Sequence, residues 1–167
     1  MKNLARLAAV AAAITIAATP AVAQVASSNG PATATLRVQK PLILTRTSHL
    51  DFGTVIVWGN GTVDMEQDGS ISCTAATLVC AASGTPAGFS IQGTNNRVVQ
   101  INAPATVTLS SGSDNLTLNT DAPATRTLNS SGVGNTTDFG IGGTVALLET
   151  TPDGTYTGTL VVTVQYQ

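Results

Sequence analysis

The chain contains little of what nucleic-acid binding or catalysis requires. Charged residues make up 10% of it, with seven Lys and Arg against nine Asp and Glu. Nucleic acid asks for clustered Lys and Arg, and anionic lipid asks for basic segments, so the acidic balance argues against both partners. Only one histidine, His49, is present, and no Gly-x-Ser-x-Gly motif occurs. Because no nucleophile or acid–base set converges, we expect neither an enzyme nor a cofactor.

The scarcity of metal-binding side chains argues against a metal site. Asp64, Glu66 and Asp68 resemble the first part of a calcium loop. The position that needs a bidentate glutamate is held by Ala75, however. In a strand the three acids share one face, where water solvates them, and we favour this interpretation. We therefore expect no bound metal.

An apolar run close to the first residue predicts export. Lys2 and Arg6 precede residues 7–18, which are apolar apart from one threonine, and residues 21–23 read Ala-Val-Ala. This is the arrangement of a secretory signal peptide, so we expect residues 1–23 to be cleaved off. The run is too short to span a bilayer and no other stretch approaches that length. We therefore expect no integral membrane segment after cleavage.

Thr, Val, Ala, Gly and Ser are the residues that the chain has in abundance. β-branched side chains are stiff and fit a pleated surface, so their abundance favours strands. Turn signals such as Asn60-Gly61 and Pro152-Asp153-Gly154 separate short apolar stretches, and no helical repeat of useful length follows the signal peptide. We therefore predict an all-β fold, a sandwich or a barrel, with residues 24–31 as a flexible tail and residues 32–167 as one domain.

The two cysteines, Cys73 and Cys80, are expected to form a disulfide. Exported chains meet an oxidising compartment, and this spacing suits a bridge across a short hairpin or a bulged loop. Closing so small a ring stabilises the fold by roughly 2–3 kcal/mol at most. A metal pair would need two further ligands, and His49 is the only histidine that could supply one.

The last thirteen residues, TYTGTLVVTVQYQ, alternate between apolar and polar side chains. One face carries Tyr156, Gly158, Leu160, Val162, Val164 and Tyr166. The other face carries threonine and glutamine, with Val161 as its one apolar member. A period of two over this length predicts a long strand with one buried and one solvated face.

A second alternating segment begins the predicted domain. Residues 32–38 read ATATLRV, with Ala32, Ala34, Leu36 and Val38 on one face. An edge strand exposes N–H and C=O groups with which a strand from another molecule can pair. We therefore interpret the final strand as an acceptor edge. Residues 32–38 are either the first strand of their own sandwich or a donor to another copy.

Several motifs spread along the chain are similar to those of a known family. They are Pro41-Leu42, Leu50-Asp51-Phe52-Gly53-Thr54, Gly61-Thr62-Val63, Ala87-Gly88-Phe89, Gly142-Gly143-Thr144, Gly154-Thr155-Tyr156-Thr157-Gly158 and Val162-Thr163-Val164-Gln165-Tyr166. Together they resemble a bacterial domain-of-unknown-function family, number 4402, over nearly the whole chain after the signal peptide. The terminal motif is also similar to pilin subunits of chaperone–usher fimbriae and to spore-coat-U-like subunits.

The resemblance implies an immunoglobulin-like antiparallel sandwich that lacks one strand and receives it from the next subunit's N-terminal extension. The implied acceptor residues are Leu160, Val162, Val164 and Tyr166. The implied donor residues are Ala32, Ala34, Leu36 and Val38. It further implies a homopolymer in the periplasm, at the surface or outside a Gram-negative bacterium, with a periplasmic chaperone and an outer-membrane usher as further partners.

A different function is compatible with the same fold. A self-contained secreted sandwich would bind a ligand or a surface polysaccharide and would be a stable, cooperative monomer. Sugars stack on flat aromatic surfaces, for which the chain offers only Trp58 and two tyrosines besides its three phenylalanines. We therefore take an exported structural subunit of a pilus or cell-surface assembly as the leading hypothesis.

Overall fold

A computed structural model of the chain describes residues 29–74, 76–80, 84–129 and 135–167. The predicted signal peptide, residues 1–23, and most of the predicted tail lie outside these residues. The chain divides into two compact units, Met1–Leu36 and Arg37–Gln167. All strands within the described ranges belong to the second unit.

Twelve strands and no helix occur in the described residues. They are β1 (Ile43–Arg46), β2 (Val55–Val57), β3 (Gly61–Met65), β4 (Ile71–Cys73), β5 (Leu78–Cys80), β6 (Ala87–Gln92), β7 (Val98–Asn102), β8 (Thr106–Ser111), β9 (Asp114–Asp121), β10 (Thr125–Thr127), β11 (Thr137–Leu147) and β12 (Thr163–Tyr166). Their pairings are all antiparallel. The prediction of an all-β chain is confirmed. A helix long and apolar enough to cross a membrane is absent from this part of the chain.

The longest strand, β11, changes partners midway. Residues 137–141 pair with β6, whereas residues 143–147 pair with β3 and residues 142–145 with β9. The change falls at Gly142, where a Cβ atom would collide with the carbonyl oxygen of Met65. Glycine permits this close approach of two backbones. The main sheet therefore has the order β1-β6-β11-β3-β4, with β9 on β11 and β8 on β9.

Two smaller sheets complete the described part of the fold. β10, β7 and β12 form one, in that order, and β2 and β5 form the other. β12 and β2 are thus edge strands, each paired on one side. A disulfide joins Cys73 in β4 to Cys80 in β5, as predicted, with Cα atoms 6.1 Å apart. This separation lies within the usual range for a disulfide.

The buried apolar side chains form two clusters. Cluster 1 consists of Ala87, Phe89, Ile91, Val99, Ile101, Leu128, Phe139 and Ile141. Cluster 2 consists of Val63, Leu78, Val107, Leu118, Val145 and Leu147. In cluster 1 the rings of Phe89 and Phe139 stack, with centroids 5.4 Å apart. Two half-buried leucines, Leu50 and Leu160, pack against both clusters and so mark the boundary between them.

The final segment is not the single long strand that the alternation predicts. Only β12 pairs continuously, with β7, while Thr157 forms an isolated bridge to Ser110 in β8. Residues 158–162 belong to no strand because the segment passes from the edge of β8 to the edge of β7. The predicted faces are nevertheless correct except at Gly158, which is exposed. Half-buried are Tyr156, Leu160, Val162, Val164 and Tyr166, and Val161 is exposed.

Two other segments with apolar side chains form little or no strand. Residues 50–58 form a strand only at β2, because Gly53 adopts a φ of 68° and turns the chain. Residues 32–38 form no strand, and all of them are exposed. Leu36 is 86% exposed and Val38 is 81% exposed, so the predicted apolar face of this segment has no apolar surface against it.

Candidate functional site

A groove of about 900 Å³ is bordered by two segments of the chain. The first rim comprises residues 46–57, which include β2, and the second rim comprises residues 149–160, which precede β12. The floor between them is supplied mainly by side chains of β3, β8, β9 and β11. Its size is that of a ligand or peptide site.

Apolar side chains line this groove from both rims and from the floor. Half-buried side chains that line it and pack against cluster 2 are Leu50, Phe52, Val55, Val57, Leu109, Leu116 and Leu160. Beneath them lie buried members of the same cluster: Val63, Val107, Leu118, Val145 and Leu147. On the side of the groove, cluster 2 is therefore covered only by half-buried apolar side chains.

The first rim forms its backbone hydrogen bonds along one edge, through the end of β1, the loop after it and β2. Asp51 exchanges two bonds of 2.8 Å with Thr85, and its carboxylate accepts a 2.8 Å bond from the N–H of Gly53. This side-chain contact supports the turn at Gly53. Beyond it β2 pairs with β5 along one edge only. Its other edge has no partner strand among the described residues.

The second rim forms fewer backbone hydrogen bonds than the first. Thr157 donates to the carbonyl of Ser110 over 3.0 Å and accepts from its N–H over 2.8 Å. From residue 158 to residue 162 no backbone hydrogen bond joins the segment to another described residue. Both borders of the groove thus carry unpaired N–H and C=O groups. Such groups favour the addition of an extended strand.

The opposite end of the final segment is closed by Tyr166. Its hydroxyl donates to the carbonyl of Lys40 over 2.9 Å and accepts from the N–H of Thr94 over 2.8 Å. The N–H of Lys40 in turn donates to the hydroxyl of Thr94 over 2.7 Å. A Cβ on Gly93 would lie 2.5 Å from the tyrosine oxygen, so glycine leaves room for it. This network ties the final strand to the residues that precede β1.

The structure separates the four predicted acceptor residues. Leu160 lines the groove, whereas Val162, Val164 and Tyr166 pack against cluster 1 and do not line it. The predicted donor residues, Ala32, Ala34, Leu36 and Val38, are exposed. Sequence reasoning overlooked the apolar floor and the first rim. Their signals were present as short alternations, Val55 and Val57 in one place, Leu116 and Leu118 in another.

Charged groups lie along both rims. Arg46, His49 and Asp51 line the groove from the first rim, and Glu149 and Asp153 line it from the second. Tyr156 also lines the groove and donates its hydroxyl to the carbonyl of Pro152 over 2.9 Å. Desolvation, followed by the negative charges of Asp114 and Asp153, raises the pKa of this phenol above its usual value of 10.0. The phenol therefore stays neutral and remains a donor at physiological pH.

The three acids considered for calcium lie outside the groove. Asp68 accepts a 2.8 Å bond from the N–H of Ser70, and this bond chiefly lowers the pKa of its carboxyl. The hydroxyl of Thr144 donates to the carboxylate of Asp64 on the paired strand. Among the described residues no three His, Cys, Asp or Glu side chains are grouped so that they could hold a metal.

Comparison with known proteins identifies the family. No curated protein and no solved structure matches the chain significantly. A family match covers residues 42–166, which runs from just before β1 to the end of β12 and includes both rims of the groove. The chain therefore belongs to the family described as a domain of unknown function, DUF4402.

Proposed function

We propose that the protein is an exported structural subunit of a pilus or cell-surface assembly that polymerises by strand donation. The observation that carries this proposal is the groove, because it combines a half-buried apolar lining with unpaired backbone on both rims. An added strand would satisfy both at once. Its backbone would pair with the rims, and alternate side chains would cover cluster 2.

Residues 32–38 of a second copy are the proposed donor. They alternate, they form no strand in their own chain, and their two largest apolar side chains, Leu36 and Val38, are exposed. Seven extended residues span roughly 23 Å. Full burial of Leu36 and Val38 would contribute about 1.5–3 kcal/mol each. The donor residues Ala32 and Ala34 would occupy alternate positions on the same face.

The same proposal accounts for the architecture and the partners. An immunoglobulin-like sandwich that lacks one strand would leave such a groove beside its last strand, and antiparallel pairing throughout supports this fold. A periplasmic chaperone would cover the groove before assembly, and an outer-membrane usher would export the polymer. The disulfide is compatible with export from a Gram-negative bacterium.

Deletion of residues 24–38 from the mature chain tests strand donation. We expect high-order, heat-labile multimers of the wild-type chain, measured by gel filtration and by electrophoresis with and without heating. The deletion should yield monomers because it removes the donor.

A matched pair of point variants separates the two faces of the donor. Leu36→Asp places a charge on the face that enters the groove, whereas Thr35→Asp places it on the opposite face. We expect Leu36→Asp to abolish multimers and Thr35→Asp to retain them. Multimers that survive both the deletion and Leu36→Asp would refute the proposal. A cooperative wild-type monomer would favour a self-contained secreted sandwich that binds a ligand or surface polysaccharide.

A further inference from the structure

We propose that charge along the groove selects and orients the donor, with Glu149 and Asp153 of the accepting copy contacting Arg37 and Lys40 of the donating copy. This inference rests on the proposed function, since it names the chemistry by which the groove recognises its strand. The carboxylates act together with the apolar floor, which supplies the main binding surface. Their task is to favour one partner and one orientation.

The two ends of the groove differ in charge. Arg46 stands opposite Phe89 of cluster 1 in the pairing of β1 with β6, at the end marked by Leu50 and Leu160. Glu149 lies at the other end, where its N–H donates to the side chain of Asn60 over 2.9 Å, shortly after β2. Arg46 and Glu149 thus lie at opposite ends of the groove.

Asp153 lies at the same end as Glu149. It precedes Thr157, the residue that pairs with Ser110, and it raises the pKa of Tyr156 by its charge. Both carboxylates line the groove and are exposed, and neither forms an ion pair with another described residue. The remaining acid of the lining, Asp51, follows Leu50 and lies at the end that holds Arg46, so that end carries one charge of each sign. An incoming cation therefore finds two unpaired carboxylates at one end.

The proposed donor carries charge at one end only. Residues 29–36 contain no charged side chain, whereas Arg37 and Lys40 follow at once. Lys40 is anchored in its own copy through Thr94 and Tyr166. Two virtual bonds of about 3.8 Å each separate its Cα from that of Val38, so Lys40 must lie at the mouth of the groove when Val38 is bound. Only one orientation of the donor brings these cations to the acids.

The effect of these charges falls on rate and selectivity. Exposed ion pairs contribute about 0–1 kcal/mol to stability, which is small beside the apolar burial of the donor. Complementary charge accelerates association by tenfold or more and penalises wrong pairings. The reverse orientation would bring Arg37 and Lys40 to the end that holds both Arg46 and Asp51, where these two side chains carry no net charge. We therefore expect assembly to be fast and strongly dependent on salt.

Charge reversal in the full mature chain tests this inference. One variant is Glu149→Lys with Asp153→Lys, and the other is Arg37→Glu with Lys40→Glu. Followed by light scattering, each should assemble about tenfold more slowly than wild type in dilute buffer. The difference should shrink to less than about twofold at 1 M salt, where the Debye length is about 3 Å. Combining all four substitutions in one chain restores complementary charge and should restore the rate.

Two controls make the outcome unambiguous. Glu66→Lys with Asp138→Lys changes the net charge equally at exposed positions away from the groove, and it should leave the rate within about twofold of wild type. The charge inference is overturned if both reversed variants assemble at the wild-type rate. It is also overturned if the variant with all four substitutions does not regain the wild-type rate. In that case Leu36→Asp still reports on strand donation. Loss of multimers there retains the proposed function, and their persistence rejects it.

Discussion

The two halves of the final segment share one sequence pattern and differ in what surrounds them. From residue 163 onward the chain is a paired strand, and Tyr166 is held by Thr94 and Lys40. From residue 155 to residue 162 it makes one isolated bridge, at Thr157, beside a groove of about 900 Å³. The half formed by residues 155–162 is therefore open, and the half from residue 163 onward is closed.

This difference shows what a period-two pattern does and does not specify. Alternation dictates which side chains face the core, and both halves obey it. It does not dictate which strand lies at the edge, because backbone N–H and C=O groups pair with any extended neighbour. In the closed half β7 pairs along one edge and the Tyr166 network secures the end of the strand. In the open half the neighbour is missing from the described chain.

Hydrogen exchange should reveal the largest contrast between the two halves. In the monomeric Leu36→Asp variant, amides of residues 158–162 should exchange almost as fast as those of an unfolded peptide, since they have no backbone partner. Paired amides of β12 should exchange at least about 1,000-fold more slowly, because they require larger unfolding events. In wild-type multimers the open half should gain protection. Equal protection of the two halves in the monomer would abolish the contrast.

Replacing the two tyrosines of the segment compares the same halves by stability. Tyr166→Ala removes a ring packed on cluster 1 and a hydroxyl with two strong hydrogen bonds, so it should lower the free energy of unfolding by about 3 kcal/mol. Tyr156→Ala removes a ring whose hydroxyl bonds only to nearby Pro152, and it should cost less than about 1 kcal/mol.

Urea denaturation of the monomeric variant measures both tyrosine substitutions. Tyr166→Phe isolates the hydroxyl and should cost about 1 kcal/mol. If Tyr156→Ala proves as costly as Tyr166→Ala, the open half is held by contacts beyond those in the structure.

Removing the disulfide should weaken the open side selectively. Cys73→Ser with Cys80→Ser releases β5, which pairs with β2 on the first rim, and should lower the free energy of unfolding by about 2 kcal/mol. Exchange of the amides in β2 should accelerate while that in β12 is unchanged. Equal acceleration in both strands would indicate that the two sides unfold together. Adding a reductant to the wild-type chain provides the control.

Much of the fold could be predicted because it depends on local signals. Abundant β-branched residues and repeated turn motifs indicated an all-β chain, and the spacing of Cys73 and Cys80 indicated their disulfide. The faces of the final segment followed from a period of two. Each of these properties arises within a few residues, where propensity and spacing act directly.

The candidate site was harder to predict since it is assembled from distant parts of the chain. Leu160 was identified, but the apolar floor around Leu116 and the rim at Phe52 were not. Gly53 also shifts the alternation of residues 50–57, so no uninterrupted pattern marks that rim. Such a groove becomes visible only when segments about a hundred residues apart are brought together.

For this protein, strand content, buried faces and the disulfide were already decided by neighbouring residues along the chain. The packing of the whole domain decided which edges are paired. It also decided where the apolar side chains that pack against cluster 2 remain half-buried. The reason is physical. A side chain's preference for burial is local, whereas the partner of a backbone edge is whichever segment the topology places beside it. The open half of the final segment is where the topology has placed no such segment among the described residues.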